Sequence, residues 1–370
     1  MERAIPQYQM VKNVIKGRIL RGDYKAGVKI PSENDFVKEF KVSKHTILNA
    51  LSELIKEKLI YRQQGKGTFV AELDRELKKQ VAVIVYRSDS SYYSKIVRSI
   101  EKEMTANSFN TILANSDGDA RKETGHIERL IGSVDAFIIA PVTEGRKYSE
   151  GVKNIINLGF PLTFISNILD EDAVNRCVNY VVPDNSIGGF LAGEHLVACG
   201  YESFRFLMHR NALMFDPVRE RLKGFKFALA HNEIAFTDNM IIETSDYDAR
   251  NGYEKDGYMA AEKMRTNGKT VGIFALGDSL AIGLMRALKE KGVEIPEQVG
   301  ICGFDDIDLA RQWGVELTTI AQRKKGTGIK AAQLTLNKIK NISSNIEHIT
   351  EPVEIIKRNS TVACRDAVAV

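Results

Sequence analysis

Residues 31–70 read PSENDFVKEFKVSKHTILNALSELIKEKLIYRQQGKGTFV, and the first part of this stretch predicts two short helices joined by a turn. Ser32 starts a capping-box-like sequence, so its hydroxyl can accept a hydrogen bond from a free amide of the first helical turn. Lys41-Val42-Ser43 forms the turn, and Ser43 is placed to cap the second helix. Apolar residues at helical spacing give each helix one face to bury against the other. The pattern is that of a helix-turn-helix.

A predicted hairpin follows the second helix. Two β-prone runs, residues 59–63 and 68–71, flank Gln64-Gly65-Lys66-Gly67. The glycines permit a tight turn, and Lys66 at its tip can reach a phosphate. The hairpin completes the pattern of a winged helix-turn-helix, a motif whose second helix lies in the major groove of DNA.

The second helix has two contrasting faces. Ile47, Leu51, Leu54 and Ile55 follow helical spacing and can pack against the first helix. The opposite face is mostly hydrogen-bonding or cationic, as the major groove requires, and consists of Lys44, His45, Leu48, Asn49 and Ser52. The alternative interpretation is a chance pattern with an ordinary solvated face.

The charge of the chain is unevenly distributed, which favours the DNA-binding interpretation. Residues 1–70 hold 14 lysine and arginine residues against 7 aspartate and glutamate residues, whereas the remainder holds 38 against 41. A basic head on a slightly acidic body indicates a polyanionic partner for the head alone. We therefore predict that the head binds double-stranded DNA.

Beyond residue 80, apolar runs of strand length alternate with amphipathic helix patterns. The runs are residues 81–86, 110–115, 136–141, 161–166, 204–209, 239–244, 271–276 and 299–304. Continuous apolar strands between helices predict parallel sheets covered on both faces. Two such sets, divided near Val182, predict an α/β body of two doubly wound, Rossmann-like subdomains. Ligands of such sheets bind beyond the carboxyl ends of the strands, so we expect a site in the cleft between the subdomains.

The composition of the chain indicates where in the cell the protein is located and whether it binds a cofactor. Met1 to Arg21 has no signal-peptide pattern, and no apolar run approaches the roughly 20 residues that span a bilayer. The four cysteines are far apart without CxxC spacing, which predicts buried free thiols in a reducing compartment. With only six histidines and no metal-ligand spacing, we expect a cytoplasmic protein that has neither a metal nor a cofactor and does not bind a membrane.

Several ordered motifs resemble two known families. The head resembles the GntR winged helix in Ile30-Pro31-Ser32-Glu33, VSKHTILNAL (42–51) and QGKGTFV (64–70). The body resembles the sugar-sensing core of the LacI family, whose fold is that of periplasmic sugar-binding proteins. The matching stretches of the body include DNSIGGFLAGEHLVACGY (184–201), RERLKGF (219–225), residues 278–310 and LTTIAQ (317–322). The combination resembles hybrid regulators of the arabinose-repressor type.

This resemblance implies a division of the chain into two domains. Residues 1–71 form the winged helix, 72–79 the linker, and 80–366 the effector-binding and dimerisation domain. The first subdomain is expected at about residues 80–181 plus 324–350, and the second at about 182–322 plus 351–362.

The resemblance also implies a set of DNA contacts. The expected contacts are Glu33, Ser43, Lys44, His45, Thr46, Leu48, Gln64, Gly65 and Lys66. Leu48 departs from the family, which often has arginine there, so we predict a different operator sequence. Leu48 packs either on a thymine methyl group or in the core of the head; the sequence leaves both open.

A sugar site needs aromatic faces for C–H groups and bidentate polar groups for hydroxyls. The positions that match the family are Tyr93, Ser166, Asn167, Arg219, Tyr247, Asp278, Asp305, Trp313 and Gln322. Arg219 and Asp305 match the charged residues that hold sugar hydroxyls, and the rings of Tyr93, Tyr247 and Trp313 are expected to line the cleft.

The resemblance implies a homodimeric, sugar-responsive repressor of a carbohydrate-utilisation operon, released from its operator by a monosaccharide. A pentose or a deoxyhexose, such as arabinose or fucose, is expected. Two alternatives remain: a sugar-binding protein without DNA function, and a serine esterase, because Gly277-Asp278-Ser279-Leu280 spells the motif of one such family. That motif falls late in the chain and no Asp-x-x-His follows it, so we expect Asp278 or Ser279 to cap a helix instead.

Overall fold

The computed structural model describes residues 7–21, 24–71, 77–144, 147–169, 173–245, 253–264, 268–340 and 345–362. Its helices are α1 (Gln7–Arg21), α2 (Glu33–Phe40), α3 (Lys44–Lys56), α4 (Tyr93–Ala106), α5 (Ala120–Leu130), α6 (Glu150–Asn157), α7 (Asn185–Ala198), α8 (Asp216–His231), α9 (Tyr253–Ala260), α10 (Asp278–Glu290) and α11 (Lys324–Ile339).

The strands are mostly short. They are β1 (Ile60–Gln63), β2 (Gly67–Val70), β3 (Gln80–Val85), β4 (Asn110–Asn115), β5 (Ala136–Ile139), β6 (Thr143–Glu144), β7 (Lys147–Tyr148), β8 (Leu162–Ile165), β9 (Asn179–Pro183), β10 (Ser203–Met208), β11 (Ile241–Glu243), β12 (Val271–Ala275), β13 (Val299–Asp305), β14 (Thr318–Gln322), β15 (His348–Glu351) and β16 (Val353–Ile356).

The head folds as the predicted winged helix-turn-helix. Helices α1, α2 and α3 surround a core that includes the fully buried Phe36, Ile47 and Leu54. Ile55 is 37% exposed, so the prediction that it is buried with them is wrong. Ser32 caps α2 in a complete capping box with Asp35, as its sequence predicts. These local signals and the apolar spacing agree with one another, which is why this part of the fold is readable from the sequence.

The wing has a third extended segment that the sequence did not predict. Strands β1 and β2 pair antiparallel. The Ile30 amide donates to the Thr68 carbonyl at 3.0 Å, and Lys29 pairs with Phe69 in an isolated antiparallel bridge. The residues that lead into α2 therefore cover one edge of the hairpin and fix it to the helices.

The described residues of the body form two six-stranded sheets, which confirms the predicted fold class. The first sheet has the order β15-β9-β8-β5-β3-β4 and is parallel throughout. The second has the order β11-β10-β12-β13-β14-β16, and only β16 runs antiparallel to its neighbour. We call residues 80–183 with 324–351 the first subdomain, and residues 185–322 with 353–362 the second.

The chain passes between the two sheets three times, after β9, β14 and β15. Helix α11 follows β14 and packs against α4 of the first subdomain. The carboxyl ends of β9 and β14 therefore lie at the junction of the subdomains, where a ligand is expected in sheets of this kind.

Two further observations concern the cysteines and the membrane. Cys302 is a buried free thiol, as predicted, but Cys177 is exposed and Cys199 is disulfide-bonded, so the prediction of buried free thiols is wrong for these two residues. Cys364 lies outside the described residues. Within the described ranges, no helix is both long and apolar enough to cross a membrane.

Candidate DNA-binding surface and ligand cavity

The amino end of α3 is organised by Ser43 and Thr46. The Ser43 hydroxyl accepts from the Thr46 amide at 3.1 Å and lies 2.8 Å from the Thr46 hydroxyl. Lys44 and His45 are exposed beside them, and the His45 ring lies 3.1 Å from the Asn49 amide nitrogen. Free amides at a helix start and adjacent hydroxyls are groups that bind phosphate oxygens.

Leu48 stands outside the core of the head, with 36% of its surface exposed. Its neighbour Ile47 is fully buried, which shows where the core side of α3 lies. The structure therefore favours the interpretation that Leu48 belongs to the outward stripe of α3.

The wing tip is exposed from Gln64 to Lys66. Gly65 has a φ of +72°, a left-handed conformation that favours glycine, and the Lys66 amide donates to the Gln63 carbonyl at 3.1 Å. The tight turn leaves the Gln64 and Lys66 side chains projecting, consistent with the contacts expected of them.

Glu33 is engaged with two cations, one of which the sequence analysis did not consider. Its carboxylate lies 2.5 Å from the Arg62 guanidinium and 3.7 Å from the Lys44 ammonium. Arg62 lies on β1, so this cluster joins α2, α3 and the wing.

A cavity of about 480 Å³ lies between the two subdomains. It is lined by residues that follow β3, β8, β10, β12 and β13, which are the carboxyl ends at which the sequence places a ligand. Five of the predicted residues are in its wall: Tyr93, Ser166, Asn167, Asp278 and Asp305. Gln322 lies behind the wall, where its amide nitrogen is 2.5 Å from an Asp305 carboxylate oxygen.

The arginine in the cavity wall is Arg221, and the prediction of Arg219 is wrong in this respect. Arg219 instead donates to the Leu213 carbonyl at 2.7 Å and pairs with Asp216 within its own helix. Two residues along an α-helix correspond to about 200°, so the two arginines of α8 point to opposite sides. The sequence pattern Arg-x-Arg offered both candidates, and only the direction of the helix decides between them.

Arg221 is held rigidly. Its Nε donates to the Asn185 side-chain oxygen at 2.9 Å and its Nη1 to the Leu276 carbonyl at 2.6 Å. The guanidinium carbon lies 3.5 Å from the centroid of the Phe304 ring, a cation–π contact. Burial lowers the pKa of Arg221 from its ordinary value, but an arginine stays charged in proteins.

Asp305 ends β13 with a φ of +113°, which turns its backbone away from the sheet. Lys324, the first residue of α11, donates to the carbonyls of Asp305 and Asp306. Burial raises the pKa of the Asp305 carboxyl, while the nearby Arg221 and Lys324 lower it. The backbone conformation is thus stabilised by a cation from the opposite subdomain.

Tyr86, Tyr92 and Tyr93 form an aromatic cluster in the wall, of which only Tyr93 is predicted from the sequence; Tyr253 lies in the wall as well. The Tyr92 and Tyr93 rings meet edge to face at 4.9 Å, and the Tyr86 and Tyr93 centroids are 6.0 Å apart. The Tyr92 hydroxyl lies 3.1 Å from the Ser166 hydroxyl and 3.0 Å from the Gln322 side-chain oxygen, so it connects both subdomains. Burial raises the pKa of all three phenols, which are therefore neutral hydrogen-bonding groups.

Asn167 has a fixed amide. Its nitrogen donates to the Tyr86 hydroxyl at 3.2 Å and to the Pro141 carbonyl at 3.1 Å, so the amide orientation is set by two oxygen partners. Its side-chain oxygen is buried and has no hydrogen-bond partner among the described residues.

His209, at the end of β10, is a polar wall residue that the sequence analysis missed. Its Nδ1 lies 3.0 Å from the Thr244 hydroxyl, and its ring packs 5.3 Å from that of Tyr253. Burial lowers the pKa of His209, an effect that Asp256 opposes.

Asp278 does not cap α10, and neither does Ser279, so this prediction is wrong. The cap residue is Gly277, without a side-chain hydrogen bond. The Asp278 carboxylate instead accepts from the Ile307 amide at 2.8 Å and the Thr319 hydroxyl at 2.5 Å. Burial, reinforced by Asp305, raises the pKa of Asp278 well above its ordinary value.

One of the predicted ring positions lies away from the cavity, and another is not among the described residues. Trp313 is 94% exposed and does not line the cavity, because it follows the turn after β13 on the outer surface. Tyr247 lies outside the described residues.

The cavity suits a neutral ligand with many hydroxyl groups. Four of its charged groups form opposite pairs, since Arg221 faces Asp305 at 4.0 Å and Arg87 bonds to Asp89 at 2.8 Å. Charged hydrogen-bonding groups beside aromatic faces match the hydroxyls and the C–H surface of such a ligand.

The head and the body of the chain each match a known protein family. The family model for bacterial regulatory proteins of the gntR family matches residues 7–70, and the model for a periplasmic binding protein-like domain matches residues 194–361. A solved LacI family transcriptional regulator of Enterococcus faecium, with bound ribose, is 30% identical; the alignment covers 77% of this chain and 100% of that one, with a TM-score of 0.65. The chain belongs to the LacI family of transcriptional regulators.

Other members of the LacI family and a relative of the full chain length are also similar. A LacI family regulator of Enterococcus faecalis with bound ribose is 28% identical, covers 77% of this chain and 100% of its own, and has a TM-score of 0.64. The arabinose metabolism transcriptional repressor of Geobacillus stearothermophilus is 28% identical over 97% of this chain and 99% of its own length. This LacI family member therefore carries a GntR-type head, as its motifs predict.

His348 follows the Gly277-Asp278-Ser279-Leu280 motif in the chain, but its position does not support the serine esterase alternative. Ser279 lies in the cavity wall, whereas His348 is on β15, where it stacks on Tyr180 and bonds to the Asn175 carbonyl. The similar proteins named above are regulators of transcription.

Proposed function

We propose that this LacI family member is a sugar-responsive transcriptional repressor of a carbohydrate-utilisation operon, acting in the cytoplasm. The observation that carries the proposal is the presence, on one chain, of a winged helix-turn-helix and of a cavity lined with paired charges and tyrosines. The expected head contacts are Glu33 at the start of α2, Ser43, Lys44, His45, Thr46 and Leu48 at the cap and in the first turns of α3, and Gln64, Gly65 and Lys66 at the wing tip.

The proposed effector is a pentose or a deoxyhexose. Two LacI family structures similar to this chain contain ribose, and the relative of full length is named for arabinose metabolism. In the cavity, Arg221 and Asp305 would hold vicinal hydroxyls, and Tyr93 would cover the C–H face.

Effector binding would be coupled to DNA binding through the relative position of the subdomains. The wall is shared between them, and both Tyr92–Gln322 and Lys95–Asp308 link one subdomain to the other. A ligand that contacts both subdomains binds most tightly to the arrangement in which they are closest together. It can shift the protein toward that arrangement only by the difference between its affinities for the closed and the open arrangement.

We propose a homodimer that uses a groove on the second subdomain. The groove, of about 370 Å³, contains Ile282, Met285, Leu309 and Val315. The exposed Trp313 lies next to it in sequence, beside Gly314 of the groove wall. Large aromatic side chains are enriched in interfaces, and a second copy would cover an otherwise costly apolar surface.

The proposed function is tested on the intact chain with a panel of pentoses, deoxyhexoses and hexoses. A true effector should raise the melting temperature in a concentration-dependent way. The same sugar should release the protein from a duplex that spans the promoter of its own gene. Melting stabilisation without any DNA binding would support the sugar-binding alternative, and the absence of both would overturn the proposal.

A further inference from the structure

We propose that Arg62 is a contact to the DNA backbone, held in place by Glu33, which acts as a positioning residue. This inference rests on the proposed DNA-binding function of the head. Arg62 belongs to none of the positions that the family resemblance implies, and its assignment comes from its place in the fold.

Arg62 lies on the face of the wing that is turned toward the helices. Side chains alternate along a strand, so Arg62 shares a face with the fully buried Ile60, whereas Tyr61 points to the other face and stacks on Phe69 at 5.8 Å. The Arg62 side chain remains 51% exposed because the apolar core ends at Ile60. It therefore occupies the corner between the wing and the start of α3.

Glu33 brings the two cations of this corner together. One carboxylate oxygen lies 2.5 Å from the Arg62 guanidinium, and the other lies 3.7 Å from the Lys44 ammonium. The three residues come from α2, α3 and β1, so a single carboxylate links the recognition helix to the wing. The group as a whole carries one net positive charge.

Such an arrangement contributes little to the stability of the fold, since ion pairs between exposed side chains are weak in water. Its effect is to hold the Arg62 and Lys44 side chains in position. A guanidinium has five N–H donors in a fixed fork, so Arg62 can keep its bond to Glu33 and still donate to a phosphate. A phosphate passing between the major groove at α3 and the wing would meet Lys44 and Arg62 together.

The test is the salt dependence of DNA binding by the intact protein. The probes are a short mixed-sequence duplex and a duplex spanning the promoter of the chain's own gene. The association constant K falls as salt rises, so the slope of log K against log salt concentration is negative, and each phosphate contact makes it steeper by about 0.9. The slope is measured between about 50 and 200 mM salt. Arg62→Ala should make this negative slope shallower by about 0.9 on both probes, and Arg62→Lys should restore most of its steepness.

Arg18→Ala is the matched control, because it removes the same charge from the same head. Arg18 pairs with Glu39 and bonds to Tyr24, away from the corner that Arg62 occupies. The control should leave the slope unchanged. Equal slopes for Arg62→Ala and Arg18→Ala would overturn the inference, since the effect would then be one of overall charge or absent.

A further pair of variants keeps the inference testable if Arg62→Ala does not fold. If circular dichroism shows that Arg62→Ala does not fold, the slope of Arg62→Gln is compared with that of Arg62→Lys, and the same difference of about 0.9 is expected. If the unmodified protein binds neither duplex in a salt-dependent way, the proposed function fails, and this outcome is distinct from a failure of the assignment of Arg62.

Discussion

The Arg221 guanidinium and the Asp305 carboxylate approach each other to 4.0 Å, yet each is oriented by other groups. Arg221 is fixed by Asn185 and by the Leu276 carbonyl, and Asp305 by Gln322. Both side chains are therefore preorganised, with hydrogen-bonding capacity left for a ligand. Preorganised groups of this kind bind more tightly because little ordering remains to be done on binding.

Arg221→Ala is expected to weaken effector binding at least tenfold, because hydrogen bonds to a charged group contribute about 1.5–3 kcal/mol. The measurement is the ligand-induced shift in melting temperature of each variant relative to its own unliganded value. Arg219→Ala is the matched control, since Arg219 faces away from the cavity and bonds to Leu213. Loss of the shift in Arg219→Ala with retention in Arg221→Ala would contradict the assignment.

Leu48→Arg is expected to change the sequence preference of the head. Arginine in the major groove donates two hydrogen bonds to guanine, whereas leucine offers only an apolar contact. Selection of binding sites from a random duplex library should therefore enrich guanine at one position of each half-site. An unchanged preference would mean that Leu48 does not face the bases.

The sequence predicted those parts of the fold in which local and global signals agree. Strand β4 has the bounds of its apolar run, 110–115, and α2 starts where Ser32 caps it. Strands β9, β14, β15 and β16 are short or contain polar residues, so the pattern of apolar runs does not reveal them. In β14, Thr318 and Thr319 are fully buried, and hydrogen bonds satisfy their hydroxyls, which no periodicity reveals.

The residues of the site could be predicted from the sequence only in part, for a related reason. Residues directly after apolar strands, such as Ser166 and Asp305, were placed in the cavity wall because strand ends share an edge of a sheet. Arg219 and Trp313 were misplaced because the direction of a side chain on a helix or a turn depends on packing that spacing alone does not specify. Tyr92 could have been found from the sequence because it is adjacent to Tyr93, but only Tyr93 was predicted to line the cavity.

Gly224→Ala is expected to destabilise the second subdomain by about 1–3 kcal/mol, as overpacking does. Helices α7 and α8 approach so closely that a Cβ at Gly224 would lie 1.9 Å from the Ser186 carbonyl oxygen. Gly125→Ala is the control, because that helical position has open space and alanine should stabilise α5 by about 0.5–1 kcal/mol. Denaturant unfolding of both variants measures the difference, and equal effects would contradict this packing.

Lys95→Met is expected to weaken effector binding by up to about fivefold without changing the melting temperature of the unliganded protein appreciably. Lys95 on α4 pairs with Asp308 of the second subdomain, so this ion pair joins the two subdomains. If closure strengthens this contact, its loss affects the liganded protein more than the free one. Titration of the effector followed by intrinsic fluorescence tests this, and unaltered affinity would show that the pair plays no part in closure.

Glu123 should make stability depend on pH near neutrality. Its buried carboxyl accepts from the Val142 amide at 2.9 Å and from the Ser149 hydroxyl at 2.6 Å, and burial raises its pKa from 4.5 to about 7. Between these two values the folded protein retains a proton that the unfolded chain has lost. The free energy of unfolding should therefore fall as pH rises through this window, by about 3 kcal/mol at most.

Glu123→Gln separates this titration from all others. Its amide oxygen can still accept from Val142 and its nitrogen can donate to Ser149, so the local contacts are kept while the proton exchange is removed. Denaturant unfolding between about pH 4.5 and 7.5 should show a decline for the unmodified protein that is absent from the variant. Parallel curves would mean that the carboxyl has the same pKa in the folded and the unfolded chain, and that Glu123 is less shielded from water than its contacts indicate.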